Sequence, residues 1–529
     1  MIKREREFCR RRHFLLVIVV LAVALLVGPS VPVLNASAQA ESETLGKLEY
    51  VDHLTRDDLF CVTSIETSPD GEFAYAAAYN AFALTVFKRD KETGCLKHAQ
   101  TISDREDLNG AVSARVSPDG RYVVCTAFRS NTVSLFERDR LEGTLKILDI
   151  VKQGERGGQG LRWVIDTAFS PDSKFVYTIA DLGRGRRAAL SVFHITDERK
   201  LQLVQESVQT NVGENKYFLG ARGIAISPKG DSVYVAGNTA STLVVLDRDA
   251  KSGETTVRQI IEDEKGDIHG LGGAFAVTCS ADGKFVYTSA PRWEGDNAIC
   301  VFKKTADGTL SLVQEIFDGK DGVSGFVGGN ELRVSPDGRN VYALGSQSNS
   351  VVVFRRNVKT GKLAYLQTVY DSEVVGRDGS ASGIEISPDG EYVYVAGESD
   401  SSIVIFKRLT GTKSGSLLGT WELVSYKYGD QKEFSDYPEN RRRIKMITDT
   451  HFLWFELDTS TKEIRIGAGG SYSLIGDTYT ESQDFSGEGM KTYAGTKHAF
   501  TVRVEGDKFT QSGALSSGLK IEEVWHRLK

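Results

Sequence analysis

Four copies of Ser-Pro-Asp-Gly begin at Ser68, Ser117, Ser335 and Ser387, and three worn copies begin at Ser170, Ser227 and Ser280, so that the motif returns every 49 to 57 residues. No other feature limits the possible folds so tightly, because self-similarity at a period of about 50 residues belongs to solenoids, propellers and arrays. Each copy lies between two runs of alternating apolar residues, as in RVSPDGRYVVCTAF at 115–128. Proline presets φ at the second turn position, Asp suits the third, and Gly supplies the left-handed conformation that closes a tight hairpin. The tetrapeptide therefore reads as a connector that needs no chemistry of its own. In the second unit, AVSARVS, RYVVCTAF, NTVSLFERD and TLKILDIVK are four successive strands, which predicts a four-stranded antiparallel sheet.

One such sheet leaves two apolar faces and two edges unsatisfied. Radial stacking buries the faces. The chain's ends favour a closed ring: Gly46-Lys47-Leu48-Glu49-Tyr50 matches Gly361-Lys362-Leu363-Ala364-Tyr365, a fourth strand, whereas the last unit at 381–408 supplies three strands and stops. The missing fourth strand is the first one made. The expectation is an all-β chain, a seven-bladed β-propeller over 41–408 closed by an N-terminal strand in the last blade. The 53 glycines in 529 residues suit such a turn-rich chain. A net charge of −6, with no basic cluster beyond the N-terminus, argues against a nucleic-acid partner.

Residues 1–40 read as a secretory signal peptide: a basic MIKREREFCRRRH, an apolar run from Phe14 to Val27, and the small-x-small site Ala38-Gln39-Ala40. The run is shorter than the ~20 residues that span a bilayer, so no stable membrane insertion is expected after cleavage. Arg11-Arg12-His13-Phe14-Leu15 resembles a twin-arginine export signal. The mature chain is expected in the periplasm or outside the cell. Its five cysteines, Cys61, Cys95, Cys125, Cys279 and Cys300, are odd in number, irregularly spaced and without C-x-x-C. They read as small buried hydrophobes rather than a disulfide framework or a zinc site. Residues 409–416 form a Gly/Ser/Thr linker. Residues 417–529 alternate afresh between short hairpin turns and predict about eight strands in meander order, a small up-and-down barrel.

GRYVVCTAFRSNTVSLFERDRLEGTLK and GRNVYALGSQSNSVVVFRRNVKTGKLAYLQTVYD resemble the seven-bladed lactonase-like (YVTN-type) propeller family, over about residues 46–410. The resemblance implies sugar-lactone hydrolysis or muconate cycloisomerisation, although the histidine-proline motifs associated with the family's enzymes are missing. LLGTWELVSY, with Gly419-Thr420-Trp421, resembles the Gly-x-Trp opening strand of lipocalin-like proteins, and Arg527 stands where that family carries a basic residue over the tryptophan. A filled or shallow barrel is the expectation, since the family's other loop motifs are not evident and eight strands leave room for side chains or one small ligand.

Aligning the first strand of each blade on its motif serine yields, two residues upstream, the column Glu66, Arg115, Ala168, Ala225, Thr278, Arg333, Glu385. Its charges fall on blades 6, 7, 1 and 2, which become neighbours when the ring closes. Four residues upstream, Asp166 and Glu331 interrupt a column of small residues. Mutual pairing between crowded strands is one reading, because an unpaired buried charge is costly. The functional reading is a polar pocket in which Arg115, Arg333, Asp166 and Glu331 bind a small anionic or sugar-like molecule, with Glu66 and Glu385 as acid–base candidates. His269 is the one histidine on a predicted mouth loop and a further general-base candidate. The acidic loops DREDLNG (104–110) and EDEKGDIHG (262–270) could hold calcium but miss the EF-hand register; a calcium ion in the channel is the other option, and no other cofactor is expected. GERGGQGLRW (154–163) lacks the Gly-Lys-Ser/Thr of a phosphate-binding loop. The favoured reading is an exported scaffold that binds a small ligand or another exported protein. The alternative is a lactone hydrolase or cycloisomerase at the channel mouth, and a third option is carriage of an apolar ligand by the barrel.

Overall fold

The computed structural model describes residues 45–183, 186–210, 217–291, 297–370, 380–410, 417–448, 451–475, 478–487 and 493–528. The expected signal peptide and residues 411–416 of the expected linker lie outside them. Seven four-stranded antiparallel sheets form the blades, and six of them use four strands in chain order. The seventh is built from Ala381–Ile386, Tyr392–Gly397, Ser402–Arg408 and, as its outermost member, Leu48–Thr55. Leu48 lies opposite Arg408 and Thr55 opposite Ser402. Leu409 N–H donates to the Lys47 carbonyl at 2.8 Å, and Leu48 packs with Tyr342, Val353, Val393 and Phe406. The ring is closed as the two matching pentapeptides predict.

The Ser-Pro-Asp-Gly turns have the expected backbone, with Gly71, Gly120, Gly338 and Gly390 at φ between +67° and +71°. Their reading as bare connectors is incomplete. Arg138, at the end of a third strand, is sealed from solvent. It donates from Nη1 to the Gly120 carbonyl (3.1 Å), from Nε to the Tyr75 hydroxyl (2.6 Å) and from Nη2 to Asp70 Oδ2 (2.7 Å). Gly120 belongs to its own blade's turn, whereas Asp70 and Tyr75 belong to the preceding blade. Arg89 and Arg408 repeat the clasp on Tyr394 with Asp389 and on Tyr342 with Asp337. Arg248 and Arg356 hold Tyr177 and Tyr287 in the same way, with the aspartate further off at 3.7 and 3.8 Å. A buried guanidinium is tolerated only when its donors are matched, and here the turn and the neighbouring blade supply the acceptors. The motif aspartate thus does two tasks, shaping its own hairpin and locking the next blade.

The C-terminal strands run from Gly419–Tyr428 to Lys520–Arg527 as one antiparallel sheet that closes on itself, with Trp421 opposite Arg527 and Tyr428 opposite Ile521. The Arg527 guanidinium lies 4.0 Å from the Trp421 ring, and the Trp421 indole N–H donates to the Leu417 carbonyl at 2.7 Å. The interior is not filled, and its largely apolar wall carries a buried charged cluster. A cavity of about 210 Å³ is lined by Arg443, Lys445, Trp454, Glu481, Gln483 and Glu523 among others. Lys445 is buried against Glu481 at 2.7 Å and Gln511 Oε1 at 2.8 Å, and Arg443 pairs with Glu456 at 3.0 Å. These charged groups satisfy one another within the wall, and much of the rest of the lining, including Trp454, Phe500, Leu519, Ile521 and Trp525, is apolar. All five cysteines described are free, with Cys61, Cys125 and Cys300 buried. Among the described residues no helix is long and apolar enough to cross a membrane.

Candidate functional site on the channel axis

The seven first strands surround a central cavity of about 500 Å³. Every residue of the column two before the motif serine lines it, as the alignment predicts. So does every residue of the column five before it: Thr63, Val112, Ile165, Arg222, Phe275, Asn330 and Ser382. Strict alternation would point that second column away from the axis. A bulge reverses it: the pairing register slips between Val62 and Ser64, and again at the matching positions of blades 2, 3, 4, 6 and 7. One inserted residue per strand bends the ladder and redirects a side chain. Arg222, absent from the sequence-based candidates, reaches the cavity by this device. Its signal was its being the sole charge in a column of neutral residues.

The charges predicted to converge do so. Arg115 Nη2 lies 3.0 Å from Asp166 Oδ1 and 3.9 Å from Glu331 Oε1, and its Nη1 lies 3.6 Å from Glu66 Oε2. Arg333 Nη2 lies 2.6 Å from Glu331 Oε1, and its Nε lies 3.7 Å from Glu385 Oε2. Glu385 Oε1 accepts from the Thr67 hydroxyl at 2.7 Å, Glu331 Oε2 from the Ile384 amide at 2.8 Å, and Asp166 Oδ1 from the Ser113 hydroxyl at 2.9 Å. Four carboxylates thus face two arginines. Arg222 stands apart and is 3.5 Å from Asp181.

This imbalance shows in proton affinity. Burial, then the proximity of Glu385, lifts Glu66 well above the ordinary carboxylate range despite Arg115 and Arg333. Burial likewise raises Glu385, against the pull of Arg333 and the Thr67 hydrogen bonds. Burial alone would lower Arg115, but Asp166, Glu66, Glu331 and Glu385 outweigh it and push the guanidinium up. Two neighbouring carboxyls that resist ionisation beside fixed cations are suited to holding one proton between them. The Cys61 thiol donates to Glu398, which lines the cavity (3.3 Å), and is pushed up to about 12 by burial and by that carboxylate, so it offers no thiolate nucleophile.

His269 is not brought to this site. It is exposed on a loop, hydrogen-bonded through Nδ1 to Glu264 at 3.1 Å, which raises its pKa, and it does not line the cavity. The loops that drew attention in the sequence are occupied by their own chain. Gln159 and Gly160 N–H both donate to Glu206 Oε2, and His269 and Gly270 N–H both donate to Glu315 Oε1. Asp104 caps the Glu106 and Asp107 amides, while Glu106 and Asp107 grip Lys152. Glu262 is taken by Lys265. No group of three His, Cys, Asp or Glu side chains able to hold a metal ion occurs among the described residues.

A ring of seven four-stranded blades with an ionic cavity on its axis defines the class, a seven-bladed β-propeller whose innermost strands line a polar channel. The sequence profile described as "Lactonase, 7-bladed beta-propeller" matches residues 30–158, 166–376 and 334–421. The chain belongs to that family. It is 30% identical over 166 residues to an uncharacterised protein of Lactococcus lactis subsp. cremoris, which is 31% of this chain and 45% of that protein. It is 24% identical over 201 residues to the 6-phosphogluconolactonase of Bacillus subtilis, 37% of this chain and 51% of the other. These matches span about half the length of the curated relatives. Among solved structures, a putative 6-phosphogluconolactonase from Bacteroides uniformis is 24% identical with a TM-score of 0.46, covering 58% of this chain and 84% of the other. A periplasmic gluconolactonase of Pseudomonas aeruginosa is 20% identical with a TM-score of 0.46, covering 58% and 85%.

Proposed function

We propose that the channel site hydrolyses the lactone of a sugar acid or a related hydroxy acid in an exported protein. The observation that carries this is the six-residue sector itself, in which Glu66 and Glu385, both raised in pKa, lie beside Arg115 and Arg333 in a solvent-reached cavity. Ionised Glu385 takes a proton from water as the water oxygen bonds to the lactone carbonyl carbon. The two guanidiniums face the oxyanion that develops. When the ring C–O bond breaks, Glu66 donates its proton to the leaving alkoxide, and the proton held by Glu385 returns to Glu66. The new carboxylic acid gives its own proton to solvent, and the carboxylate product remains beside the arginines until it is displaced. Family membership and the 6-phosphogluconolactonase among its relatives support the substrate class, and the leader-like first forty residues support export.

A specific observation favours a second reading, binding without turnover: each arginine already has a close carboxylate, Arg115 with Asp166 at 3.0 Å and Arg333 with Glu331 at 2.6 Å. One experiment separates the two. The purified protein is assayed in a pH-stat against a panel of aldonolactones and aryl lactones. Turnover is expected, with Glu66→Gln and Glu385→Gln each lowering kcat by about 100-fold or more, and Arg115→Ala raising KM. Lactone binding by calorimetry with no acid release on any panel member would leave the binding reading in its place.

A further inference from the structure

Besides the arginine and the tyrosine, a third device closes most blade seams. A glycine in the hairpin between the third and fourth strands lies flat on the aromatic ring that opens the previous blade's second strand. A Cβ on Gly94, Gly143, Gly253 or Gly361 would come within 2.1 to 2.3 Å of Tyr392, Phe73, Phe175 or Phe285. Between blades 2 and 3 all three devices are missing together. Ile195 ends the third strand where its counterparts are Arg89, Arg138, Arg248, Arg356 and Arg408, and Val124 stands where the accepting tyrosine would be. The hairpin Thr196-Asp197-Glu198-Arg199-Lys200 has no glycine, and Arg199 takes the left-handed conformation at φ +60°. Tyr122 therefore has no glycine on its ring and stays half-buried, with the Arg121 guanidinium 5.6 Å from the ring centre. In place of the clasp the Ser173 hydroxyl accepts from the Asp119 amide at 3.1 Å across the seam.

Beyond the core that Val124, Leu135, Val176 and Phe193 pack across this seam, its unclasped end forms a groove of about 720 Å³, lined by Arg121, Tyr122 and Arg140 of blade 2 and by Lys174, His194 and Arg199 of blade 3, with Glu137 and Asp197 as its carboxylates. Arg199 is spent on Glu137, and Arg121 on Asp119 at 2.6 Å. Among the described residues Arg140 reaches only the Asp119 carbonyl, and Lys174 makes no ion pair. Two exposed cations, one from each blade, are thus left without a carboxylate at the groove. We propose that this seam is a binding groove, separate from the channel, for a multiply charged oxyanion: phosphate or sulfate groups, which forked guanidiniums match in geometry.

Calorimetry at low salt with two probes, inorganic pyrophosphate and a sulfated heparin oligosaccharide, tests this and tells a compact phosphate from an extended sulfated chain. At least one probe is expected to bind, and the double variant Arg140→Ala/Lys174→Ala, which touches no buried group, is expected to weaken it tenfold or more. The channel variant Arg115→Ala should leave it unchanged, so failure of the lactone assay and failure here are independent. A second variant, Val124→Tyr/Ile195→Arg, rebuilds the clasp; it is expected to abolish binding while raising the unfolding temperature. Absence of binding by both probes at millimolar concentration overturns the proposal. So does an equal loss in the control Lys251→Ala/Lys359→Ala, whose cations lie outside the groove.

Discussion

Glu66 condenses the chemistry of the site into one side chain. Burial and Glu385 disfavour its charged form, so the folded chain keeps this proton over a pH range in which the unfolded chain, titrating near 4.5, has lost it. The sign follows: the contribution to stability is fully present below about 4.5 and is lost as pH rises through the raised folded value. Glu66→Gln mimics the protonated form and removes that dependence. Thermal unfolding followed from pH 4 to 8 is expected to show the wild-type midpoint falling relative to Glu66→Gln as pH rises, with the difference smallest at the acid end. Parallel curves would mean that Glu66 is ionised in the folded protein and cannot be the proton donor.

At the scale of the element, the repeat encodes more than hairpins. The motif aspartates Asp70, Asp337 and Asp389 are each held below the usual range: burial acts to raise them, and the motif serine and the clasping arginine outweigh it. Arg138→Met strips the donors from Asp70 and from the buried Tyr75 hydroxyl, and is expected to cost about 3 kcal/mol in urea denaturation. A loss below about 0.5 kcal/mol would reduce the clasp to incidental packing. Of the candidate site, the column containing Glu66, Arg115, Arg333 and Glu385 was legible because one turn residue sets the register of all seven first strands. Arg222 was not, because a bulge has no side-chain signature and shifts which residue faces the axis. His269 misled for the opposite reason: loop position says nothing of where a side chain is directed, and Glu264 and Glu315 hold it at the surface.

For the whole molecule the decisive contact is the first strand on the last blade. Without Leu48–Thr55 the Ser402–Arg408 strand would present an open edge to other chains. Leu48→Ala is expected to cost about 3 kcal/mol from the cavity it leaves, measured by chemical denaturation. Removal of residues 46–55 is expected to produce concentration-dependent association in light scattering. If the shortened chain stays monomeric and unfolds at the same midpoint, closure by this strand is dispensable.

The repeat period, the turn chemistry and the matching pentapeptides at 46–50 and 361–365 determined a closed seven-fold ring, and Gly419-Thr420-Trp421 with Arg527 pointed to the barrel. These are local patterns, readable because hairpin residues and strand alternation act over a few positions. Only the tertiary structure decided that Glu66 and Glu385 share an environment that lifts both, that buried arginines bind turn to turn across five seams, that the seam between blades 2 and 3 lacks its clasp, and that the barrel wall buries ion pairs. Each depends on groups tens to hundreds of residues apart meeting at a few ångströms, and both the energy of a charge and the fit of a groove are set by those distances.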